Sequence, residues 1–342
     1  MREKHFKTNS DKNQIEEFDL GDALGTAKDV PSTIAPKKQI QQRLAKEEII
    51  HTHGIPPAYP GVITKLVKRF PPKKWLPQTL FAISKYSGKK ARKNATDFQI
   101  TKKQIKINHL PKDLKGLKLL HISDLHLDLI PSFGQSVAKF LSKNQKELSL
   151  AQMALITGDT QEKYAEPVNN TLEAFKLIAP LIPCPIIASL GNHDSLKLAD
   201  EISKIPHQAG IRFLVNQQIK FHTPKGSKIV VQGIDDPYYY KSYKFGQRNG
   251  EDLHLLLAHS PQILEEANHN KVDLCLSGHT HGGQIKIPGI GALVNRAGVN
   301  KKYIEGTWKY KNLKGHTSRG MGCSSVPIRI NCPPEITIIE LI

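Results

Sequence analysis

Short apolar runs separated by polar and glycine-containing stretches dominate the chain from about residue 99 onward. Runs of Leu, Ile and Val without polar alternation are typical of strands that are buried on both faces. In chain order they are LKGLKLLHIS, MALITG, CPIIASLG, KIVVQGI, LHLLLAHS, VDLCLSG and EITIIELI. Helical patterns such as NNTLEAFKLIA and SLKLADEISKI accompany the first three runs. The pattern predicts an α/β fold in which two sheets form a sandwich, with polar residues gathered at strand ends.

The chain before residue 99 has a different pattern. Residues 1–55 are polar and weakly patterned, which predicts a flexible tail containing one short helical pattern, QIQQRLAKEEII. Residues 56–98 include GVITKLVKRF, in which the apolar residues fall on one helical face and Lys and Arg on the other. The sequence thus predicts three parts: a tail over 1–55, a basic amphipathic segment over 56–98 and a compact domain over 99–342.

Positive charge is concentrated in one stretch of the chain. The 342 residues carry a formal net charge of +18. Between Lys65 and Lys106 there are 13 Lys and Arg residues, and Asp97 is the single acidic residue. This stretch therefore holds most of the excess charge. Such a balance indicates an anionic partner, which is a nucleic acid, an acidic membrane or a phosphorylated substrate.

The basic segment favours an anionic membrane surface over nucleic acid as its partner. Its aromatic residues belong to apolar helical faces, whereas binding of single-stranded nucleic acid needs aromatic rings interleaved with basic residues. Each basic residue near an acidic interface contributes on the order of 1 kcal/mol, so the segment would hold a domain at a membrane. A solvated linker is the alternative interpretation. The sequence indicates no oligomeric state.

The expected location is cytoplasmic, peripheral on the inner face of the cytoplasmic membrane. The polar start of the chain shows no export signal, and no window approaches the roughly 18 apolar residues that span a bilayer. The cysteines are scattered without a paired metal-binding spacing, which is simplest in a reducing compartment. They are Cys184, Cys275, Cys323 and Cys332.

Five of the apolar runs stop at a carboxylate, a carboxamide or an imidazole. The polar positions, in chain order, are Asp124, His126, Asp159, Asn192, His193, Asp194, His259, His279 and His281. Each alone has an ordinary interpretation as a turn, a cap or a buried histidine. Together, three oxygen donors and four imidazoles exceed what one tetrahedral ion takes, and they suit two ions that share a ligand. Two ions about 3.5–4 Å apart can clamp the attacking and leaving oxygens of a phosphoryl displacement.

The order D-x-H, GD, GNHD, H and GHTH resembles that of the calcineurin-like metallophosphoesterases, and the resemblance covers roughly residues 115–342. It implies an α/β fold built as a four-layer α/β/β/α sandwich of two mixed sheets, with a dinuclear metal site at the strand ends. It also implies two divalent metal ions as cofactors. Manganese is the first expectation, and iron, zinc and nickel are the alternatives.

The resemblance divides the seven expected ligands between the two ions. The first ion is assigned Asp124, His126 and His281. The second ion is assigned Asn192, His259 and His279. Asp159 is implied to bridge both ions.

Two further residues of the GNHD motif are given catalytic roles by the resemblance. His193 is implied to contact the phosphoryl oxygen and to assist the leaving group without binding metal. Asp194 is expected to orient His193, because a carboxylate beside an imidazole holds it in one tautomer.

The C-terminal stretch SRGMGCSSVPIRINCPPEITIIELI resembles that of a bacterial, membrane-associated branch of the family. Enzymes in and near that branch hydrolyse UDP-2,3-diacylglucosamine in lipid A synthesis. The expected activity is therefore hydrolysis of a phosphodiester or pyrophosphate bond in a lipid-linked nucleotide, such as UDP-2,3-diacylglucosamine, giving lipid X and UMP. The alternatives are a nucleic-acid or cyclic-nucleotide phosphodiesterase on the same scaffold and a non-catalytic scaffold protein.

Two other pairs have open interpretations. Asp235 and Asp236 follow a strand and form either a turn or carboxylates that support the site. Ser318 and Arg319 either grip a substrate phosphate or belong to a buried salt bridge, because an Arg fork suits both anions.

Overall fold

The computed structural model describes residues 16–19, 37–53, 88–162, 168–293, 295 and 297–342. A six-stranded sheet contains β2 (Gln99–Ile105), β3 (Lys118–Ile122), β4 (Met153–Thr157), β5 (Ile186–Ser189), β6 (Ile211–Phe213) and β15 (Glu335–Leu341). Its spatial order is β2-β15-β3-β4-β5-β6. Strands β3 to β6 are parallel, whereas β15 is antiparallel to β3 and parallel to β2.

A seven-stranded sheet forms the second half. Its strands are β1 (Glu16–Asp19), β7 (Gln217–His222), β8 (Lys228–Gly233), β9 (Leu253–Leu257), β10 (Leu274–Ser277), β13 (Gly306–Tyr310) and β14 (Leu313–Thr317). The order is β1-β7-β8-β9-β10-β14-β13, and the four strands β8, β9, β10 and β14 are parallel. Strand β7 pairs antiparallel with β8, and β13 pairs antiparallel with β14. A small hairpin joins β11 (Lys286–Ile287) and β12 (Gly291–Ala292).

Helices cover both sheets, so the sandwich has three apolar layers. The α-helices are α1 (Lys37–His53), α2 (Phe133–Lys143), α3 (Gln145–Leu148), α4 (Asn169–Ile178), α5 (Leu196–Ser203) and α6 (Leu264–His269), and residues 88–94 are also helical. One core lies between the helices and the six-stranded sheet, a second between the sheets, and a third on the outer face of the seven-stranded sheet. The predicted α/β sandwich of two mixed sheets is confirmed.

The predicted division into tail, basic segment and domain is only partly covered by the described residues. Residues 54–87, which hold most of the basic segment, lie outside them. Lys37–His53 falls in the predicted tail and forms an α-helix whose Arg43 is only 1% exposed. Within the described ranges, none of the helices is both long enough and apolar enough to cross a membrane.

A buried histidine pair links the two sheets. His121 Nδ1 lies 2.9 Å from His316 Nδ1, and His121 Nε2 lies 3.0 Å from Thr157 Oγ1. Burial lowers the pKa of His316 from 6.5 to about 4. Burial, together with His316, lowers the pKa of His121 well below 6.5. Both imidazoles are therefore neutral in the folded protein at pH 7.

We expect the free energy of unfolding to fall as the pH drops from about 6.5 to about 4, because the unfolded chain binds protons that the buried pair does not. His316 alone accounts for roughly 3 kcal/mol over this window. Urea unfolding at a series of pH values measures the effect. The His316→Gln variant should flatten this part of the profile, and His269→Gln, at an exposed helix end, should not. If the free energy of unfolding depended on pH equally in both variants, the buried histidine pair would not be the cause of the pH dependence.

Candidate metal centre

The nine predicted site residues follow five strands that end at the same edge of the sandwich. Strands β3, β4 and β5 are parallel neighbours in one sheet, and β9 and β10 are parallel neighbours in the other. Because the carboxyl ends of parallel strands meet at one edge, the polar residues that follow them converge. The two sheets face each other, so donors from both reach one common centre.

The backbone turns sharply where the ligands leave the strands. Five of the seven predicted ligands have a positive φ: Asp124 (51°), His126 (42°), Asp159 (55°), His279 (65°) and His281 (50°). This left-handed region costs a non-glycine residue on the order of 1 kcal/mol or more, and such conformations cluster at functional sites.

Two glycines let carboxylates approach the backbone at the centre. A Cβ at Gly191 would clash with Asp159 Oδ1, and a Cβ at Gly278 would clash with Ser123 Oγ and Asp124 Oδ2. The glycines of GNHD and GHTH are therefore required by close packing against the two aspartates.

The first group of donors comprises Asp124, His126 and His281, whose ligand atoms all lie within 4.8 Å of one another. His281 Nε2 is 3.4 Å from Asp124 Oδ1 and 3.2 Å from His126 Nε2. All three residues are at least 96% buried. Two imidazole nitrogens and a carboxylate oxygen directed at one point form a suitable cation site.

The second group comprises Asp159, His259 and His279, with the same mutual proximity of ligand atoms. His259 Nε2 lies 3.0 Å from Asp159 Oδ2 and 3.2 Å from His279 Nδ1. Asp159 Oδ2 is also 3.7 Å from His126 Nε2 of the first group. One carboxylate oxygen thus lies between the two groups, where a shared ligand is expected.

Asn192 offers a test of whether these residues fit a pair of cations. Its Oδ1 is buried and has no hydrogen-bond partner among the residues that the structure describes. A buried amide oxygen without a donor is costly, and a cation would satisfy it. The Asn192 loop also contacts Asp159, since the His193 N–H donates to Asp159 Oδ1 at 2.9 Å. The donor set fits two divalent ions with nitrogen and oxygen ligands.

The electrostatics of the centre reflect concentrated negative charge. Burial opposes a charge on His259, yet Asp159, Asp124 and Asp236 raise its pKa to about 10. Burial would raise the pKa of Asp159, but the imidazoles of His259, His193 and His126 hold it well below its ordinary value. A field that stabilises positive charge this strongly also favours cations.

Glu162 supports the centre and was not singled out from the sequence. Its Oε2 lies 2.7 Å from His126 Nδ1, which leaves Nε2 of that ring directed toward the first donor group. Burial acts against the ionised Glu162, but His126 and His193 lower its pKa to about 2. A carboxylate on the far nitrogen orients an imidazole ligand and makes it more basic. Its only sequence signal is an acid three residues after Asp159, in GDTQE.

Asp194 does not orient His193, which corrects the expectation from the sequence. Its carboxylate accepts the backbone N–H groups of Asp159 (2.7 Å), Thr160 (2.7 Å) and Gly191 (2.9 Å). His193 Nδ1 instead donates to the Glu162 carbonyl at 2.6 Å. Asp194 therefore fixes the backbone around Asp159, and Glu162 sets the tautomer of His193.

The structure also shows the contacts of three residues from the remaining pairs. Asp236 accepts the N–H groups of Tyr238 and Tyr239, which is the turn interpretation. Asp235 forms an ion pair with Arg43. Arg319 pairs with Glu335 at 2.6 Å, which is the salt-bridge interpretation.

Tyr238 is a second residue that sequence reasoning missed. Its ring centroid lies 4.1 Å from that of His279, so it covers the second donor group. All four cysteines are free and buried.

Comparison with known proteins places the part of the chain that carries the predicted ligands in a known family. The family model described as calcineurin-like phosphoesterase matches residues 117–283, which span every predicted ligand. The metallophosphoesterase YkuE of Bacillus subtilis is 26% identical over 71% of this chain and 85% of its own length. The metallophosphoesterase YkoQ of the same organism is 28% identical over 70% of this chain and 91% of its own length.

The phosphodiesterase YaeI of Escherichia coli is 31% identical over 231 residues, which cover 66% of this chain and 82% of YaeI. The family and the clustered His and Asp side chains are consistent with divalent metal ions as cofactors. The chain belongs to the calcineurin-like phosphoesterase family and is a phosphoesterase hydrolase.

Proposed function

We propose that the protein hydrolyses a phosphodiester or pyrophosphate bond in a lipid-linked nucleotide at an anionic membrane surface. UDP-2,3-diacylglucosamine, cleaved to lipid X and UMP, is the preferred substrate. The proposed location is the inner face of the cytoplasmic membrane, and manganese is the preferred metal. The observation that carries the proposal is an exposed apolar hairpin beside the candidate metal centre.

The hairpin β11–β12 begins five residues after the predicted ligand His281. It exposes three large apolar side chains within seven residues: Ile287 (39% exposed), Ile290 (60%) and Leu293 (46%). Val326 (44%) lies nearby, because Gln284 Nε2 donates to its carbonyl at 3.0 Å. Apolar exposure concentrated in one short stretch favours an interaction surface.

Basic residues border the apolar hairpin. Lys286 is in β11 and forms an ion pair with Glu305, whereas Lys301 Nζ approaches the carbonyl of Ile290 at 3.5 Å. Lys302 follows in the chain, with its Nζ over the Tyr303 ring. Apolar side chains flanked by lysines suit an interface of anionic headgroups above acyl chains. A lipid docked there would contact a hairpin that follows the predicted ligand His281 by only five residues in the chain.

The chain's own residues supply the other parts of the reaction. When bound, divalent ions lower the pKa of a coordinated water and stabilise charge on the phosphoryl oxygens. His193 Nδ1–H is held by the Glu162 carbonyl, so Nε2 is the nitrogen that exchanges a proton with the leaving oxygen. Asp194 keeps the loop of Asn192 and His193 against Asp159 through its backbone hydrogen bonds.

The test is turnover of UDP-2,3-diacylglucosamine in mixed micelles with Mn²⁺ and with chelator. We expect the paired variant Ile290→Ser/Leu293→Ser to lower kcat/KM for the micellar lipid by more than about tenfold, since burying each side chain contributes roughly 1.5–3 kcal/mol. Turnover of a water-soluble phosphodiester should stay unchanged. The matched control is Leu150→Ser/Leu177→Ser, which removes equally exposed apolar residues elsewhere.

The possible outcomes distinguish an error in the assigned substrate from an error in the proposed reaction. If the enzyme cleaves the soluble diester but not the UDP-lipid, the substrate assignment is wrong and the phosphoesterase activity stands. If oligonucleotides or cyclic nucleotides are cleaved faster than the lipid and vesicles are not bound, the alternative function replaces the proposal. Equal losses of kcat/KM for the micellar lipid in the hairpin and control variants would mean that the hairpin does not bind the lipid.

A further inference from the structure

Arg43 of α1 is a buried cation next to the candidate metal centre. Helix α1 (Lys37–His53) precedes the residues 117–283 that match the family. Arg43 is nevertheless only 1% exposed and is among the largest fully buried side chains of the described chain. An arginine is rarely buried unless specific partners compensate it, so its contacts carry information.

One side of the guanidinium holds the GNHD loop. Arg43 Nη2 donates to the carbonyl of Asp194 at 2.6 Å and to that of Gly191 at 3.3 Å. These two carbonyls bracket Asn192 and His193, which are the predicted ligand and the predicted proton donor. The cation therefore contacts both ends of the short loop that presents them.

The other side of the guanidinium holds the loop after β8. Arg43 Nη1 pairs with Asp235, and the guanidinium carbon lies 3.9 Å from the centre of the Tyr240 ring. Two residues before Tyr240, the ring of Tyr238 lies 4.1 Å from that of His279 in the second donor group, tilted by 44°. Arg43 thus joins two loops that both border this group.

Glu47 completes the arrangement one helical turn later. Its Oε1 accepts from Arg43 Nε at 2.9 Å and from the backbone N–H of Leu196 at 3.1 Å. The Glu47 carboxylate fixes the orientation of the Arg43 guanidinium. It also accepts the backbone N–H of the first residue of α5, directly after the GNHD loop. Such a rigid, planar fork contacts several acceptors at once, which lysine does not do.

We propose that Arg43 is a positioning residue that clamps the GNHD loop and thereby sets the affinity of the second metal position and the placement of His193. The helix that carries it lies outside the matched family region. Residues 37–53 are accordingly part of the functional enzyme. The proposal holds for any phosphoester substrate.

The test uses the full chain and two variants. Arg43→Met removes the clamp but leaves Asp235 buried without its cation, which by itself destabilises a protein. Arg43→Met/Asp235→Asn also removes that charge, and thermal unfolding of each variant checks that it folds. The matched control is Lys46→Met, because Lys46 Nζ donates to the Tyr240 carbonyl from the same helix without contacting the GNHD loop.

We expect both Arg43 variants to bind the second Mn²⁺ about 10–100-fold more weakly in calorimetric titrations, with the first ion unaffected. Their kcat on a soluble phosphodiester should fall, and the Lys46→Met control should match the parent. If the double variant binds two ions and turns over like the control, Arg43 only neutralises Asp235 and the proposal is overturned. A soluble substrate keeps this outcome independent of the proposed lipid.

Discussion

The Asp159→Asn variant is expected to lose phosphoester hydrolysis by roughly 10³-fold or more and to bind at most one metal ion. Asp159 Oδ2 lies 3.0 Å from His259 Nε2 and 3.7 Å from His126 Nε2, so its charge serves both donor groups. Asparagine keeps the shape and the oxygen that accepts the His193 N–H, but it removes the negative charge. The loss is therefore electrostatic and leaves the loop in place.

Metal content by elemental analysis and kcat on a soluble phosphodiester measure this effect, with thermal unfolding as the check on folding. The matched control is Asp273→Asn, a largely buried carboxylate that pairs with Arg248 far from the predicted ligands along its strand. The control should retain metal and activity. An Asp159→Asn enzyme with two tightly bound ions and parental kcat would refute the bridging assignment.

His193→Gln has the second largest expected effect, a decrease in kcat of about 10²–10⁴-fold with both metal positions retained. His193 lies outside the Asp124 and Asp159 donor groups; its ligand atom clusters with those of His126 and Glu162, and its Nδ1 is engaged by the Glu162 carbonyl. Loss of the imidazole therefore removes a proton donor without removing a predicted ligand. The decrease should be largest for poor leaving groups, which need protonation most.

A series of phosphodiesters with leaving groups of increasing pKa tests this role. The His193→Gln defect should shrink toward the parent rate for good leaving groups. The control is His207→Gln, a similarly half-buried imidazole whose Nε2 donates to the Ile182 carbonyl at 2.9 Å. A defect of equal size across the series, or loss of metal in the variant, would mean that His193 acts otherwise than as the proton donor.

Much of the fold follows from the sequence because buried parallel strands are uniformly apolar. The runs that end at Asp124, Asp159, Asn192, His259 and His279 are strands β3, β4, β5, β9 and β10. Periodicity does not show which strand lies beside which. The edge strand β1, from the polar start of the chain, pairs with β7 at a separation that no local pattern predicts.

The sequence by itself predicted the set of donors, because each polar residue sits directly after an apolar run whose carboxyl end must reach the sheet edge. Only the tertiary structure decided the partners of those donors. Glu162 faces His126, Asp194 accepts backbone N–H groups, and Arg43 reaches the GNHD loop from a stretch that composition suggests is a tail. These contacts depend on left-handed turns and join chain segments that are between 35 and 151 residues apart. Local propensity carries no information about either, and packing alone sets which side chain meets which.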